Sequence, residues 1–322
     1  MPAPESNYGN PYFGSGTAPA RAALAGNPSD GYGGRTLALA LPELKARVEV
    51  APEDGLTLGP LRLAGIDELD RALSEGREPA LMAAALRRLA LVADVPETGF
   101  GLRYSSTVPG EVGLAGSSAL VVAALRALCD AFGVTLTPDE LARTALDAET
   151  EELGIAAGPQ DRVVQAHGGL VMMDFEHEAW TAEALDPLLL PPLFVAWRSD
   201  ATSHSGDYHA ELRKRHASGD PAVHRCMKRL AQLASDARDA LISGNHAAFA
   251  RCLDGSFDER AAMGPLVPEH VSMVELARSL GASANYAGSG GAIVGTMPEH
   301  VPREELRAAL EQAGCAVLTP NS

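Results

Sequence analysis

Positive charge is scarce in this sequence. It contains 26 Lys and Arg residues against 42 Asp and Glu, which gives a net charge of −16. Proteins that hold nucleic acid do so largely through Lys and Arg contacts to phosphates, so such an acidic chain is not expected to have a nucleic-acid partner. The negative net charge would also repel a polyphosphate, so any nucleotide site must obtain its positive potential from nearby helix N-termini or from a metal ion.

Paired cysteines and long apolar runs are lacking as well. The four cysteines are far apart and form no CxxC pair, which argues against a zinc ribbon or a disulfide framework and suits a reducing cytosol. The longest apolar stretch, residues 119–128, contains Arg126 and is too short to span a bilayer. These absences predict a cytoplasmic protein with no membrane partner.

Helices and strands alternate without a regular βαβ repeat, which predicts an α+β fold. An apolar helix is expected from Ser117 to Phe132, and a second one begins at Thr137, where Thr137 and Glu140 can form a capping box, and stops near Gly154. The other predicted elements are strands at 22–25, 36–50 (broken at Pro42), 102–108, 170–175 and 193–199, helices at 67–94, 206–217, 221–243, 245–253 and 269–280, and a final strand-helix-strand unit.

Composition also suggests how the chain is divided. Residues 1–18 are rich in Pro, Gly and Ser and are predicted to form a flexible tail. The Pro-rich segment DPLLLPPL at 186–193 suggests a domain boundary. We therefore expect an N-terminal domain over residues 19–185 and a C-terminal domain over residues 186–322.

The most specific signal is a glycine-rich loop, PGEVGLAGSSA, at residues 109–119. It opens onto the N-terminus of a predicted helix, where free N–H groups and the positive helix end favour an anion. The loop is not a Walker A motif, since no lysine follows the glycines. A divalent metal would then be the natural source of positive charge, unless the segment is only a Ser-capped turn that happens to contain glycines.

Carboxylates gather at the C-terminal end of the second predicted helix. Asp147, Glu149, Glu151 and Glu152 oppose the helix macrodipole there, each at a cost of about 0.3–1 kcal/mol. Solvent exposure would compensate for some of them, and a bound Mg²⁺ would explain one of them better. Further along, Asp161 in the turn GPQDR starts a short helix, and is either an ordinary helix-start aspartate or a catalytic group.

A further glycine-rich loop, NYAGSGGAIVG, occupies residues 285–295. It looks superficially like the GxGxxG dinucleotide fingerprint, which needs a strand before it and a helix after it. Here AIVGTM continues as a strand and then reaches Pro298, so the dinucleotide interpretation fails. A glycine turn packed closely against a ligand or another backbone is the better interpretation.

In order and spacing, three segments resemble the signatures of the GHMP kinases, a superfamily named after galacto-, homoserine, mevalonate and phosphomevalonate kinases. PARAALAGNPSD at 19–30 resembles the first signature, residues 109–119 match every fixed position of the second, and the glycines of 287–295 match the third. Within the superfamily, GNPSDGYGGRT, ELGIAAGPQDRVVQAHGGLVMMDF and SFDERAAMG most resemble the glucuronokinases, which phosphorylate a sugar acid at its anomeric hydroxyl. The resemblance implies two domains, one ribosomal-protein-S5-like and one ferredoxin-like.

The resemblance also implies ATP and Mg²⁺ as cofactors, a sugar or sugar acid as the other substrate, and a role for each matching residue. Asp161 matches the catalytic aspartate and Arg21 the basic residue beside it, while Ser118 and Glu149 match the Mg²⁺ ligands. The implied nucleotide-binding residues are Pro109, Gly113, Leu114, Gly116, Ser117, Ser118 and Ala119. The acceptor-binding residues predicted from the resemblance and from the needs of a sugar acid are Asn27, Asp30, Tyr32, Arg35, Arg162, Gly288, Ser289 and Gly290.

Some of these assignments leave the chemistry open. Asp161 beside Arg21 should have a lowered pKa, so it either accepts the proton of the hydroxyl or only orients it. Asn27 and Pro28 depart from the Glu-His pair of galactokinases, which argues against galactose. The carboxylate of a sugar acid would need an arginine, for which Arg35 is the first candidate and Arg162 the second.

Three functions therefore stand at this point. The first is a sugar 1-kinase acting on glucuronate, and the second is a GHMP kinase for galacturonate, a neutral hexose, a heptose phosphate or a mevalonate-like acid. The third is an inactive sugar sensor, which would be expected to lack Asp161 or Glu149, yet both are present. If neither Arg35 nor Arg162 faces the acceptor, the sugar-acid prediction weakens.

Overall fold

Contacts within the chain group it into two units, each assembled from several segments. The computed structural model describes residues 12–177, 179–198 and 205–320, with the backbone alone for 205–209. The first unit holds residues 12–18, 45–107 and 117–157, and the second holds 19–44, 108–116 and 158–320. The chain passes between the units within its first two strands, β1 (Gly14–Ala25) and β2 (Arg35–Pro52), which pair with each other.

The first unit combines short strands with four helices in its described part. Its elements are β3 (Leu56–Leu58), β4 (Leu61–Leu63), α1 (Leu69–Leu73), α2 (Arg77–Ala90), β5 (Phe100–Ser106), α3 (Gly116–Phe132) and α4 (Pro138–Asp147). Strand β5 pairs antiparallel with residues 46–52 of β2 and parallel with β3, which pairs antiparallel with β4. Helices α2 and α3 are apolar over most of their length, and Leu81, Leu86, Val121 and Leu125 are fully or almost fully buried.

Helix α4 begins as the sequence predicts. Thr137 Oγ1 accepts a hydrogen bond from the Glu140 amide, and Glu140 Oε2 accepts one from the Thr137 amide, at 3.2 and 2.8 Å, so the capping box is confirmed. After Asp147 the helix widens into one π-helical turn over Ala148–Glu152. This turn carries Glu149, and turns of this kind often occur at functional sites.

The second unit contains a 22-residue helix and an antiparallel sheet. Its further elements are α5 (Gln160–His167), β6 (Leu170–Asp174), β7 (Thr181–Leu185), β8 (Leu193–Trp197), α6 (Ser205–Ala217), α7 (Pro221–Ile242), α8 (His246–Ala262), α9 (Pro268–Ser279), β9 (Asn285–Tyr286), β10 (Ala292–Thr296), α10 (Arg303–Gln312) and β11 (Ala316–Leu318). Residues 35–39 of β2 pair with β6, which pairs with β7, and a separate sheet has the order β11-β8-β10-β9.

One apolar core positions the site in this unit. It joins alternate residues of β1, the first half of β2, and strands β6, β8 and β10 to helices α7 and α8. Ala20, Ala22 and Leu24 are completely buried in it, so the β1 backbone around Arg21 is fixed by packing on both sides of that residue. A second cluster packs α9 and α10 against β8 and β10.

Two sequence predictions need correction at the start of the chain. Residues 14–18, predicted as tail, belong to β1; Gly14 and Gly16 allow this, because a Cβ on either would collide with the backbone of α3. Strand β2 is continuous through Pro42, because Pro42 lies between the stretches that pair with β6 and β5 and so removes no N–H from either ladder. Tyr12, also predicted as tail, packs edge-on against the rings of Phe100 and Phe132. Residues 1–11 of the predicted tail lie outside the described residues.

Other differences concern the extent of elements. The helix predicted at 67–94 is broken before Arg77 into α1 and α2, and α8 continues to Ala262 instead of ending at 253. The short strands β3, β4, β7 and β9 were not predicted. The domain boundary at residues 185 and 186 stays a prediction. Among the helices of the described ranges, none has the length and hydropathy that a bilayer span needs.

Candidate active site

The centre of the candidate site is an ion pair between Arg21 of β1 and Asp161 of α5. Arg21 Nε donates to Asp161 Oδ1 at 2.6 Å, and the two side chains are 5% and 20% exposed. Arg21 Nη1 also donates to the carbonyl oxygens of Gly113 and Ala287, at 2.8 and 2.6 Å. One guanidinium group therefore connects the aspartate to two of the glycine-rich loops.

The surroundings of Asp161 keep it ionised. Burial by itself would raise its pKa, but the charges of Arg21 and Arg162 and the hydrogen bonds from Arg21 and Gln160 outweigh burial, so the pKa of Asp161 lies below its ordinary value. Arg162 Nη1 lies 4.0 Å from Asp161 Oδ2 and donates to the Gly158 carbonyl at 2.9 Å. An ionised carboxylate held in this way can orient a hydroxyl group and receive its proton.

Asp30 is a second buried carboxylate close to Asp161. Its Oδ2 accepts a hydrogen bond from the Gln160 amide at 3.3 Å, and a Cβ at Gly158 would collide with this oxygen. Desolvation, together with the charge of Asp161, raises the pKa of Asp30 to about 6, although backbone hydrogen bonds and the charge of Arg21 oppose the shift. Neighbouring carboxylates with pKa values displaced in opposite directions can play different roles, one as acceptor and one as donor.

The segment that carries Asp30, residues 26–35, connects β1 to β2. Asp30 lies on one 3-10 turn, Ser29–Tyr32, and Asn27 Oδ1 accepts a hydrogen bond from Arg260 Nη1 at 3.0 Å. The ring of Tyr32 is 4.6 Å from that of His216. The segment is thus anchored at its beginning, middle and end by different helices of the second unit.

Arg35 has a different environment from the one the sequence suggested. The register of β2 on β6 places it opposite Asp174, and its Nε donates to Asp174 Oδ2 at 2.6 Å while its Nη2 lies 3.4 Å from Glu176 Oε2. Two carboxylates therefore neutralise Arg35, whereas Arg162 is the arginine found beside Asp161. Both arginines therefore lie beside a carboxylate, Arg35 beside Asp174 and Arg162 beside Asp161.

The loop at residues 108–116 is held closely against the loop after β9. Gly113 has a φ of 79°, and a Cβ there would come within 2.7 Å of the Gly290 carbonyl. Leu114 is buried, its carbonyl accepts from the Arg21 amide, and the Ala115 carbonyl accepts from Gln165 Nε2 at 2.9 Å. Gly288 is equally constrained, since a Cβ there would collide with the Gly113 carbonyl.

The loop leads into α3, whose first turn, Ser117 to Ala119, belongs to the first unit. Arg77 Nη2 donates to Ser117 Oγ at 2.6 Å, which brings a positive charge to the helix N-terminus. Ser118 is 3% exposed, and Glu149 on the π-helical turn is 2% exposed. Within the described residues, no group of three or more His, Cys, Asp or Glu is arranged to hold a metal.

The donor chemistry of this unit fits Mg²⁺ bound together with a nucleotide. Ser118 and Glu149 are oxygen donors in buried positions. Mg²⁺ commonly takes only one or two protein oxygens and completes its octahedral shell with water and phosphate. A site of this kind needs no cluster of three protein ligands.

Comparison with known proteins agrees with this geometry. The family model of the GHMP kinases N terminal domain matches residues 80–169. Glucuronokinase 1 of Arabidopsis thaliana is 34% identical over 304 residues, which cover 87% of this chain and 84% of that protein. The chain belongs to the GHMP kinase family. It is accordingly an ATP-dependent phosphotransferase.

Further relatives of this GHMP kinase support the same assignment. Probable glucuronokinase 2 of Arabidopsis thaliana is 33% identical over 306 residues, 87% of this chain and 83% of that protein. The structure of Lactococcus lactis galactokinase complexed with galactose superposes with a TM-score of 0.81 at 17% identity, over 96% of this chain and 93% of that one. The predicted α+β GHMP kinase fold is thus confirmed.

Sequence reasoning missed three residues of this kinase that contact the predicted site residues. Gln160 contacts both Asp30 and Asp161, Arg77 contacts Ser117, and Arg260 contacts Asn27. Arg260 lies in SFDERAAMG, a segment that the resemblance included without giving any of its residues a role. Gln160 likewise lies in a segment that the resemblance included without giving it a role, and Arg77 carried no sequence signal of its own. The roles of the predicted site residues stay predictions.

Proposed function

We propose that this kinase transfers the γ-phosphoryl group of ATP to the anomeric hydroxyl of a sugar acid, and that D-glucuronate is the acceptor. The observation that carries the proposal is the similarity to two glucuronokinases over 87% of the chain. The ionised, arginine-paired Asp161 supports it, because phosphoryl transfer requires mainly positioning and charge stabilisation from the protein.

In this proposal Asp161 orients the anomeric hydroxyl and receives its proton as the phosphoryl group arrives. Arg21 keeps Asp161 ionised and stabilises negative charge on the transferring group. Pro109, Gly113, Leu114, Gly116 and the first turn of α3 bind the nucleotide phosphates through backbone N–H groups and hydroxyls. Mg²⁺, when bound through Ser118 and Glu149, supplies positive charge to the phosphates.

The acceptor would lie against residues 26–35 and the loop 288–290. Asp30 accepts from or donates to sugar hydroxyls, depending on its protonation state, and Tyr32 offers an aromatic face. Arg162 binds the carboxylate of the sugar acid in preference to Arg35, because Arg162 lies beside Asp161 whereas Arg35 is paired with Asp174 and Glu176.

The test is a coupled ADP-release assay with MgATP against glucuronate, galacturonate, glucose, galactose, mevalonate and a heptose 7-phosphate. Turnover on glucuronate that is lost in Asp161→Asn and kept in Asp239→Asn, a change at an exposed carboxylate of α7, supports the proposal. Turnover confined to another acceptor refutes the sugar-acid assignment and keeps the kinase. Absence of turnover together with failure to bind MgATP would favour the sugar sensor.

A further inference from the structure

Arg260, on the last turn of α8, is one of the largest side chains that the fold buries completely, with 1% of its surface exposed. Its Nη1 donates to Asn27 Oδ1 at 3.0 Å and to the Gly288 carbonyl at 2.7 Å, and its Nη2 donates to the Ser289 carbonyl at 3.1 Å. Its guanidinium carbon also lies 5.2 Å from the centre of the Tyr286 ring. One side chain thus contacts segments that are more than 200 residues apart in the sequence.

Burying a guanidinium group costs free energy that an apolar side chain of similar volume would not cost. A hydrophobic residue could fill the same space between α8 and the Tyr286 ring, so packing alone does not account for an arginine here. What an apolar residue could not do is donate hydrogen bonds to several oxygens in fixed directions, as the planar guanidinium does. The position therefore points to a role in fixing the geometry of the segments it contacts.

These contacts complete a closed circuit around Asp161. Asp161 is paired with Arg21, which donates to the Ala287 carbonyl, and the next residues, Gly288 and Ser289, accept from Arg260. On the other side, Arg260 holds Asn27. Three residues later Asp30 accepts from the amide of Gln160, the residue before Asp161. Every link is a hydrogen bond or a short stretch of backbone within the second unit.

We propose that Arg260 is a positioning residue for the acceptor substrate. It fixes the segment at 27–30 relative to the loop at 287–289, so that Asp30 and the Arg21–Asp161 pair keep the spacing that the acceptor requires. Arg260 acts through Asn27 and the loop carbonyls and does not itself touch the reacting atoms. The inference rests on the proposed function in one respect, namely that residues 26–35 bind the acceptor.

The first test compares Arg260→Met and Arg260→Lys with the wild type, using whichever acceptor the wild type phosphorylates. Loss of charge-assisted hydrogen bonds predicts that the acceptor KM rises about tenfold to a hundredfold and kcat falls. The KM for MgATP should rise by less than the acceptor KM, since Arg260 contacts the acceptor segment directly and reaches the loop at 108–116 through the loop at 288–290. Lys should not rescue, because an ammonium group lacks the planar fork that reaches all three oxygens.

Arg278→Met is the matched control. Arg278 also donates to two backbone carbonyls, those of Asp254 and Ala284, and lies over the Phe257 ring, but it is outside the circuit. It should lower thermal stability without raising the acceptor KM. Equal KM changes in the Arg278 and Arg260 variants, or an unchanged acceptor KM in Arg260→Met, would overturn the proposal.

A second measurement keeps the inference testable whatever the acceptor proves to be. Hydrogen–deuterium exchange in the absence of any substrate should be at least about tenfold faster at residues 26–35 and 286–291 in Arg260→Lys than in the wild type, because the clamp that protects them from opening is lost. Exchange at residues 26–35 should be unchanged in Arg278→Met, because Arg278 has no contact with this segment among its hydrogen bonds to Asp254, Asp258 and Ala284. Unchanged exchange at 26–35 in the Arg260 variant would refute the positioning role even if glucuronate were not the substrate.

Discussion

Replacing Arg21 by Met tests the electrostatic centre of the site. Met keeps much of the volume but removes the donors to Asp161, Gly113 and Ala287. Breaking a buried ion pair by removing one partner costs about 3–5 kcal/mol, because the remaining charge is left uncompensated. Asp161 is 20% exposed, so we expect the lower end, about 3 kcal/mol of unfolding free energy at pH 7.

The pH dependence of this loss follows from the direction of the pKa change. In the wild type, the pKa of Asp161 is lower in the folded than in the unfolded state. Ionised Asp161 therefore stabilises the fold at pH values above the unfolded-state pKa, and this stabilisation is lost as the pH falls through the folded-state pKa. In Arg21→Met the charge and hydrogen bond of Arg21 are lost and only Arg162 and Gln160 still oppose burial, so the folded pKa of Asp161 rises and its ionised form is less stable in the fold at neutral pH. The deficit of the variant should therefore be largest at pH 7 to 8 and shrink as pH falls towards about 4.

Urea unfolding of the wild type and of Arg21→Met at pH 4, 5.5 and 7.5 measures the loss of unfolding free energy. In the variant, the kcat/KM of the kinase reaction should also fall towards acidic pH, as Asp161 becomes protonated. The double variant Arg21→Met with Asp161→Asn should recover much of the stability and none of the activity. Arg47→Met, which breaks an exposed pair with Glu49, should cost less than about 1 kcal/mol. A pH-independent deficit below about 1 kcal/mol for Arg21→Met would show that the pair is not coupled as its geometry implies.

Three further predictions concern single side chains. Asp30→Asn should raise the free energy of unfolding by about 3 kcal/mol at pH 8 and by much less at pH 4. The reason is that the folded pKa of Asp30, about 6, makes its ionised form unfavourable in the fold only above the unfolded pKa. Thermal unfolding from pH 4 to pH 8 measures this gain in stability, and a gain independent of pH would contradict the prediction. Glu149→Gln should raise the Mg²⁺ concentration that gives half-maximal activity more than about tenfold. Glu151→Gln, a change at an exposed neighbour, should leave that concentration unchanged. Equal effects of the two changes would argue against Glu149 as a Mg²⁺ ligand. Thr137→Ala should cost about 1 kcal/mol by urea unfolding, since the capping box is lost, and no change would mean that the cap does not contribute.

Features determined by neighbouring residues were predictable. The capping box at Thr137 and Glu140 and the start of α3 after the glycines follow from contacts within a few positions of the chain. The short strand after Gly291 was likewise visible, because its apolar run ends at a proline. Each of these rests on backbone geometry that a handful of residue types specify by themselves.

Features that depend on strand register or on packing against distant parts of the chain could not be predicted from the sequence. The ion pair of Arg35 with Asp174 depends on the register of β2 on β6, so nothing near Arg35 in the sequence indicated it. Arg260 finds Asn27 across 233 positions of sequence. The first residues of β1 were predicted as tail because they are rich in glycine. Gly14 and Gly16 are required there because α3 approaches the strand so closely that a Cβ would collide with it. In each case the deciding neighbour lies far away in the sequence, where periodicity and propensity carry no information.

The hydrogen bond from Arg21 to Ala287 also has a consequence for how the protein is made. The two residues are 266 positions apart, so at about 5–20 residues per second the ribosome needs roughly 13–53 s to deliver the acceptor after the donor. The first unit, whose last segment ends at residue 157, can complete its contacts during this interval. A nascent chain released before residue 287 would therefore carry the glycine-rich loop at 109–119 without the Ala287 carbonyl that accepts from Arg21. We expect such fragments to lack kinase activity.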